Sequence, residues 1–229
     1  MTHALFIRGT IVIVLAAALF STSAFGQEGK PTARGTRFDI SLDLPIWPSL
    51  GDLQPVGGGS FDSLGFGLGF TGHWPVRQFE NSELLLGFDG NIAATESNIR
   101  GGFDTLLARQ LYLGGSIKWL FGAKRNLSLD GGIGYHEVDM AQVDSEWYGT
   151  WEYEHWSTSK PSGFVGATWD IGSGRPNKNR GLFIGFKVHF ADFGRVYDED
   201  FAPSRPALGA AAGTLGGPLY VLRIGYSRR

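Results

Sequence analysis

One histidine near the end of an apolar stretch is the first candidate for chemistry in this chain. His189 begins the run His-Phe-Ala-Asp-Phe-Gly, in which Asp192 could orient the imidazole. A histidine that acts as a base needs a nucleophile within hydrogen-bond reach, and the run contains no serine, threonine or cysteine. We therefore interpret His189 as a histidine at the rim or in the interior of the fold, and we predict no catalytic residue and no enzymatic activity.

Metal, cofactor and nucleic-acid sites have little support in the sequence. His73 and His136 fall on different elements at opposite heights, which argues against a shared metal site. The chain has no cysteine, and no short motif for nucleotides, zinc proteases or serine hydrolases occurs. With 20 basic and 22 acidic residues the net charge is −2, which gives no case for nucleic acid. We expect neither a metal nor a cofactor.

An acidic and aromatic segment between residues 139 and 160 is the best candidate for recognition. Its aromatic residues are Trp147, Tyr148, Trp151, Tyr153 and Trp156. Exposed aromatics beside acids suit a protein or glycan ligand. Residues 150–156 still alternate like a strand, however, so the alternative is an extended hairpin whose rings pack on each other. The acids at residues 198–200 could hold divalent cations at a lipopolysaccharide surface or could be merely solvated.

The elements that would position these residues appear as a repeating alternation. In residues 37–44, Phe38, Ile40, Leu42 and Leu44 alternate with polar residues, which is typical of a strand with one apolar and one polar face. About eight such segments of roughly ten residues occur, a length that suits a tilted strand crossing a bilayer. The connections alternate long and short: 46–63, 75–82, 94–108, 122–126, 139–160, 172–180 and 191–217. This is the layout of an outer-membrane barrel with short periplasmic turns and long outer loops.

The first residues have the features of an export signal. One positive charge at Arg8 precedes the apolar residues 11–20, and small residues at Ala24 and Gly26 favour cleavage before Gln27. We therefore divide the chain into a signal peptide at residues 1–26, a periplasmic tail at 27–35 and a barrel domain at 36–229. An even number of strands then places both termini on the periplasmic side.

The placement of aromatic residues decides which face meets the surroundings. A soluble sandwich or lipocalin would bury the apolar face, whereas a membrane barrel would turn it to lipid. Trp74, Trp119 and Trp169 lie on the apolar face near the ends of even-numbered segments, and Tyr226 holds the equivalent place on the last. Amphipathic rings collect at the membrane interface in this way. We therefore predict an all-β, eight-stranded, antiparallel, up-and-down transmembrane β-barrel with these four residues in an aromatic girdle.

The inward face would then hold charges of nearly balanced sign. Its predicted charge network consists of Arg37, Asp39, Asp43, Asp89, Lys118, Asp130, Asp170, Lys187 and Arg223. Centring the turn on Lys124 puts Lys118 opposite Asp130, and closing the barrel brings Arg223 near Asp39. Inward glycines make room for larger side chains, so we expect a mostly filled interior, as eight strands leave little more space than side chains need. The other reading is that these same glycines leave a wet channel.

These features together resemble the small OmpA/OmpX-type outer-membrane barrels over residues 36–226. The run Leu-Asp-Gly-Gly-Ile-Gly-Tyr at residues 129–135 is similar to the glycine-aromatic strands of that family. The last segment resembles the C-terminal signal read by the barrel-insertion machinery, with Tyr226 as its aromatic residue. The His189 run is loosely similar to the outer-membrane lipid A deacylases, which require a serine two residues after the histidine, where this chain has Ala191.

The sequence therefore predicts an integral protein of the bacterial outer membrane with a structural role or a surface-interaction role through its outer loops. One alternative is a narrow porin-like solute or ion channel. A second alternative is a lipid-modifying enzyme that uses His189. The expected partners are outer-membrane lipid and lipopolysaccharide, the barrel-insertion machinery, and a protein or glycan ligand at the outer loops.

Overall fold

The computed structural model describes residues 35–53, 64–98, 104–122, 125–146, 149–171, 180–197 and 211–228. These residues form eight strands and one short helix. In chain order they are β1 (Arg37–Ile46), α1 (Pro48–Gly51), β2 (Phe66–Gln78), β3 (Ser82–Asn98), β4 (Asp104–Phe121), β5 (Leu127–Glu146), β6 (Gly149–Ile171), β7 (Arg180–Tyr197) and β8 (Ala211–Arg228). The predicted signal peptide and the tail up to residue 34 lie outside the described residues.

The eight strands form one closed antiparallel barrel in which each strand pairs with its neighbours in the sequence. The ring closes between the first and last strands, with Phe38 opposite Arg228 and Ile46 opposite Tyr220. The predicted eight-stranded up-and-down architecture is confirmed. We call the end of the barrel at which β1 begins and β8 ends the terminal end; β2, β4 and β6 also end there. The opposite end is the loop end.

Several strands are longer at the loop end than the alternation predicted. β5 has 20 residues and β6 has 23, so most of the predicted loop 139–160 is paired strand. The pairing extends to Glu146 opposite Gly149. The sequence signal fades here because the outward face turns polar from Glu137 onward, while the backbone ladder needs no apolar outward side chain to continue. β3, β4, β7 and β8 likewise reach into the predicted loops.

The turn predicted at residues 75–82 is also shorter than expected. β2 runs on to Gln78, and its register with β3 shifts between Pro75 and Arg77. A bulge is one of the places where a sheet accepts proline, which has no amide hydrogen to donate to the ladder. The proline therefore marks an irregularity within the strand and not its end.

The outer surface of the barrel is apolar around its whole circumference. Ile133, in the middle of this surface, is 79 % exposed. The belt, as we call this surface, includes exposed residues from every strand: Ile40, Leu42, Phe66, Leu68, Leu86, Ile92, Ile117, Ile133, Val165, Ile184, Phe186, Leu222 and Ile224. Among the described residues, no helix has the length and hydropathy needed to span a membrane.

Candidate functional site: the interior of the barrel

The charged residues of the predicted network all lie inside the barrel. Each of the nine is 6 % exposed or less, because the alternation turns every second side chain of each strand inward. They fall into two groups that follow one another along the barrel axis. Together we call them the charged layer.

The first group lies toward the terminal end and is centred on Arg37. Its guanidinium makes a two-pronged contact with Asp170 (Nη1–Oδ2 2.6 Å, Nη2–Oδ1 2.7 Å). Its Nε also donates to Asp39 at 2.7 Å. Asp39 accepts two further hydrogen bonds, from Lys118 Nζ at 3.1 Å and from Thr71 Oγ1 at 3.2 Å. The group therefore ties β1, β2, β4 and β6 together across the lumen.

The second group lies near mid-barrel and is centred on Arg223 and Lys187. Arg223 Nε donates to Asp43 Oδ1 at 2.9 Å, and its Nη1 lies 3.7 Å from Asp89 Oδ2. Lys187 donates to Asp89 and lies 3.5 Å from Asp130 Oδ2. Two cations thus face three carboxylates, and every one of these side chains has a charged partner. Each buried charge therefore has an opposite charge nearby, as a charged group taken out of water requires.

The two predicted pairings within this network turn out differently. Lys118 does stand opposite Asp130 in the β4–β5 register, yet its ammonium group bonds Asp39 and Lys187 takes Asp130. The prediction that Arg223 lies near Asp39 is wrong. Ser227 stands opposite Asp39 and Arg223 stands opposite Asp43, because β8 extends to Arg228 and pairs four residues further along than expected.

The inward glycines leave room for large side chains of neighbouring strands. A Cβ added to Gly132 would stand 2.6 Å from the Phe164 ring, and one added to Gly225 would stand 2.6 Å from the Phe183 ring. A Cβ at Gly69 would meet Arg223 Nη2 at 2.1 Å. At these positions the space that a glycine provides is taken by a neighbour, which is how the charged layer and the aromatic rings fit into so narrow a barrel.

Above the charged layer, toward the loop end, lies an aromatic–histidine layer made of Tyr112, His136, Phe164 and His189. Tyr112 and His189 meet edge to face with ring centroids 4.7 Å apart. The ring centroid of His189 lies 5.9 Å from that of His136 and 5.2 Å from that of Phe164. Lys187 Nζ stands 4.3 Å from the Phe164 centroid and so joins the two layers. All four side chains are buried.

His189 itself is buried in the interior, but Asp192 does not orient it. Asp192 is exposed on the other face of β7, and its Oδ1 accepts a hydrogen bond from the Gly194 amide at 3.0 Å. His73 and His136 lie apart from each other, because His136 belongs to the aromatic–histidine layer and His73 contacts Ser116 Oγ at 2.9 Å in the terminal half. Among the described residues, no group of three or more His, Cys, Asp or Glu is arranged to hold a metal ion.

The loop-end third of the interior is mainly apolar, with Gln110 and Thr95 as buried polar residues, and the sequence analysis missed this. On β5 the inward residues after His136 are Val138 and Met140, and on β7 they are Ala191 and Phe193 after His189. The whole apolar cluster consists of Trp47, Leu50, Leu53, Ala108, Val138, Met140, Ala191, Phe193, Leu215, Leu219 and Val221. The sequence did contain a signal: beyond His136 and His189, every second residue still faces inward, but these residues are apolar.

Part of this cluster comes from the connection that the sequence analysis placed in an outer loop. Residues 47–53, the plug segment, contain the one-turn helix α1 and fold into the mouth of the barrel. Trp47, Leu50 and Leu53 are each 3 % exposed or less. Ser49 Oγ donates to the Gly216 carbonyl at 2.6 Å and accepts from the Gly216 amide at 3.1 Å. The plug segment therefore closes the barrel at the loop end.

The four predicted girdle residues lie on the outside of the barrel, close to the terminal end. Trp119, Trp169 and Tyr226 are about half exposed, and each is two residues from the last residue of its strand. Trp74 is partly covered by Phe88, with ring centroids 5.9 Å apart. They lie at the same edge of the belt.

The predicted surface-loop residues fall at the far end of the β5–β6 hairpin. Trp147 and Tyr148 lie outside the described residues. Trp151, Tyr153 and Trp156 belong to β6, where Trp151 pairs with Asp144 and Trp156 with Met140. A register shift between Gln142 and Val143 interrupts this ladder. The backbone here is a paired ribbon, which is the extended-hairpin alternative, and the role of these rings stays a prediction.

No model of a protein family matches the sequence, and no curated protein does so. Solved structures of bacterial outer-membrane barrels do match the fold. Ail, the attachment invasion locus protein of Yersinia pestis, is 10 % identical with a TM-score of 0.47, over 84 % of this chain and 96 % of that one. OprG from Pseudomonas aeruginosa is 11 % identical (TM-score 0.44), over 85 % of this chain and 95 % of that one. The outer membrane protease OmpT from Escherichia coli is 10 % identical (TM-score 0.43), over 88 % and 99 %.

Proposed function

We propose that this protein is an integral barrel of the bacterial outer membrane with a closed lumen, acting through its architecture and its projecting strands rather than through transport or catalysis. The observation that carries this proposal is the reversed distribution of polarity. Ile133 and Phe66 point outward and are largely exposed, while Arg37 and Lys118 point inward and are buried. In water such a surface would be costly, whereas lipid tails would cover it, and a closed barrel satisfies every backbone group within it. The export signal expected at residues 1–26 agrees with this location.

The belt also indicates how far the strands extend from the membrane. On β5 the exposed apolar residues end at Tyr135, and beyond it the outward residues are Glu137 and Asp139. A membrane-spanning strand needs roughly 9–11 residues, but β5 and β6 have 20 and 23. About half of this hairpin therefore projects beyond the lipid, and we call this part, residues 137–146 of β5 and 149–159 of β6, the ribbon. With the girdle at the periplasmic edge, the projecting ribbon lies outside the cell and both termini lie in the periplasm.

A surface role is supported by what this ribbon contains. Trp151, Tyr153 and Trp156 belong to its strand β6, and it is the longest pair of strands in the described part of the chain. Aromatic residues beside acids in a segment beyond the belt suit recognition of a protein or a glycan. The lumen, in contrast, is filled by the charged layer, the aromatic–histidine layer and the plug segment.

The alternative of a narrow channel is tested by conductance. The purified protein is inserted into planar bilayers and recorded at both polarities. We expect no steady single-channel steps, because Lys187 and Arg223 both reach across the lumen to Asp89 on β3. Reproducible openings in the native protein would overturn the closed-lumen proposal and favour the channel.

The alternative of a lipid-modifying enzyme is tested at His189. This side chain faces the interior beneath the plug segment, away from the lipid, and the position two residues further on is Ala191. We expect His189→Ala to leave the lipid A mass spectrum of the cells unchanged. An altered spectrum would contradict the non-enzymatic role.

The orientation is tested by cysteine labelling, because the chain contains no cysteine of its own. Ser159→Cys lies on the exposed part of the ribbon, and Glu80→Cys lies in the exposed turn at the terminal end. A membrane-impermeant maleimide added to intact cells should label the first and spare the second until the cells are lysed. The reverse pattern would show that the barrel is inserted the other way round.

A further inference from the structure

The loop-end third of the interior is a chamber with a distinct lining. Its walls are the apolar cluster, and its floor is the aromatic–histidine layer, below which the charged layer begins. Along β7 the sequence of inward residues is Lys187, His189, Ala191 and Phe193, so polarity falls steadily toward the mouth.

The occupant of the chamber is the plug segment, and few hydrogen bonds join it to the barrel wall. The backbone amides of Leu50, Asp52 and Leu53 donate to carbonyl oxygens of the same segment, so these bonds can move with it. In the described part of the chain, the hydrogen bonds that join it to the wall are the two between Ser49 and Gly216. The remaining contacts are apolar side chains, which a ligand of similar chemistry can replace.

Trp47 shows which chemistry the chamber accepts. Its indole stacks on His136, with centroids 5.8 Å apart and planes 22° apart, and meets Phe193 at 5.6 Å with a tilt of 60°. The indole nitrogen Nε1 is buried without a hydrogen-bond partner among the described residues. The indole therefore fills a slot built for a flat ring but does not use the polar groups around it.

The floor of the chamber has polar atoms to offer. His136 Nδ1 and His189 Nδ1 are buried and have no hydrogen-bond partner among the described residues. Both side chains are more than nine-tenths buried, and their ring centroids lie 5.9 Å apart. Buried polar groups are normally paired, so two unpaired ring nitrogens on neighbouring histidines, one of which carries the stacked indole, point to a ligand with a polar group. The apolar walls would not accept an ion.

We propose that this chamber binds a small, neutral, planar aromatic molecule with one hydrogen-bonding group, of the size of an indole or a phenol. Trp47 occupies the slot in the closed form, and the plug segment moves out when the ligand enters. The ring of the ligand stacks on His136, and its polar group bonds the unpaired atoms of the floor. This site is independent of the membrane role proposed above, because it can be tested in the folded protein in detergent.

The test uses the full chain with single cysteines, probed with indole. Leu50→Cys places a thiol on the buried side of the plug segment, and Pro48→Cys places one on its exposed side. We expect Leu50→Cys to react slowly with a maleimide in the absence of indole and at least about tenfold faster when it is present, while Pro48→Cys changes less than about twofold. No acceleration of Leu50→Cys, or equal acceleration of both, would overturn the proposal. Equal acceleration by cyclohexanol, which has the size but not the flat ring, would overturn the aromatic selectivity.

A second measurement removes the internal competitor. Trp47→Ala should bind radiolabelled indole at least about tenfold more tightly than the native protein in equilibrium dialysis, whereas Trp119→Ala on the belt should leave the affinity unchanged. Tighter binding by Trp47→Ala without any acceleration of Leu50→Cys would mean that indole only fills an engineered cavity, and it would count against the proposal. If Trp47→Ala does not fold, the labelling of Leu50→Cys decides alone, since that chain retains Trp47.

Discussion

Lys118 and Asp39 are joined across the lumen, with Nζ 3.1 Å from Oδ2, although they lie on β4 and β1 and neither strand neighbours the other. The carboxylate also contacts Arg37, so two cations share it, and Arg37 has a second carboxylate partner in Asp170. A contact of this kind works as a cross-brace, because it fixes the distance between opposite walls of the barrel. Removing either partner would leave the other charge buried with fewer partners, which is strongly destabilising.

The first prediction concerns this brace. Asp39→Asn keeps the shape but removes the charge that Arg37 and Lys118 share, and breaking a buried pair costs about 3–5 kcal/mol. Urea unfolding in detergent micelles should show a loss of that size, while Asp52→Asn at an exposed position should show almost none. Adding Lys118→Gln to Asp39→Asn should recover part of the loss, since it removes one unpaired cation. A single variant as stable as the native chain would contradict the brace.

The second prediction separates lipid from water around the belt. Ile133→Arg places a charge on a residue that is 79 % exposed, which would matter little in a soluble protein. At the middle of a bilayer it costs about 2–4 kcal/mol. The free energy of unfolding from lipid vesicles should fall by that amount, and Ser157→Arg, exposed on the ribbon beyond the belt, should change it by less than about 1 kcal/mol. Equal effects at both positions would remove the argument for a lipid-facing belt.

The third prediction concerns two glycines of neighbouring strands. A Cβ at Gly87 would stand 1.9 Å from the backbone carbonyl oxygen of Gly72, whereas at Gly115 it meets nothing within 4 Å. A backbone atom cannot give way as a flexible side chain can. Gly87→Ala should therefore prevent assembly or cost at least about 4 kcal/mol, and Gly115→Ala should stay within about 0.5 kcal/mol of the native chain. The heat-modifiable band on a gel reports assembly. Equal behaviour of the two variants would mean that the interstrand approach at Gly87 is looser than described.

The fourth prediction concerns the projecting ribbon. Replacing residues 141–155 by an Asn-Gly turn joins Met140 to Trp156, which are already paired and would suit a two-residue hairpin. Because the shortened β5 still contains all of its belt residues, the protein should still run as a folded band on a gel when it is not heated. The temperature at which heating shifts this band should be unchanged. Binding of cells or immobilised glycans, where the native chain shows it, should be lost. Failure of the shortened chain to assemble would show that the ribbon is part of the fold and not an appendage.

The fifth prediction concerns the two closures of the lumen. The combined variant Trp47→Ala, Leu50→Ala and Leu53→Ala empties the plug segment of its large side chains, but Lys187 and Arg223 still reach Asp89 across the lumen below it. Planar-bilayer recordings of this variant should therefore show no more conductance than the native protein. Stable openings would mean that the plug segment, and not the charged layer, is the barrier to ions.

The fold was predictable because its signal is local. Whether a residue such as Ile40 faces out or Ser41 faces in depends only on its parity along one strand, and eight alternating segments suffice to predict the barrel. The pairing of charges was not predictable in the same way. Arg223 meets Asp43 and not Asp39, because the partner is set by the register between β1 and β8, and that register depends on where β8 ends. A shift of four residues leaves the alternation unchanged but alters every contact.

The plug segment was missed for a related reason. Trp47 continues the inward phase of β1 through Pro45, and that continuity was visible in the sequence. The proline and glycine residues that follow are equally typical of a loop outside the barrel and of one folded into it, since both need a tight turn. The choice between them depends on apolar partners such as Val138 and Phe193, which are contributed by strands far away in the sequence.

The seam at which Phe38 meets Arg228 has a consequence for assembly. Until β1 and β8 pair, the sheet has two edge strands, and their unpaired amide and carbonyl groups cannot form hydrogen bonds with water in the hydrocarbon region. An incomplete barrel is therefore unstable in the bilayer before the last strand has been added. Until the last strand is added, the edge of the first hairpin needs other hydrogen-bond partners, either water in the aqueous compartment or the edge strand of another protein.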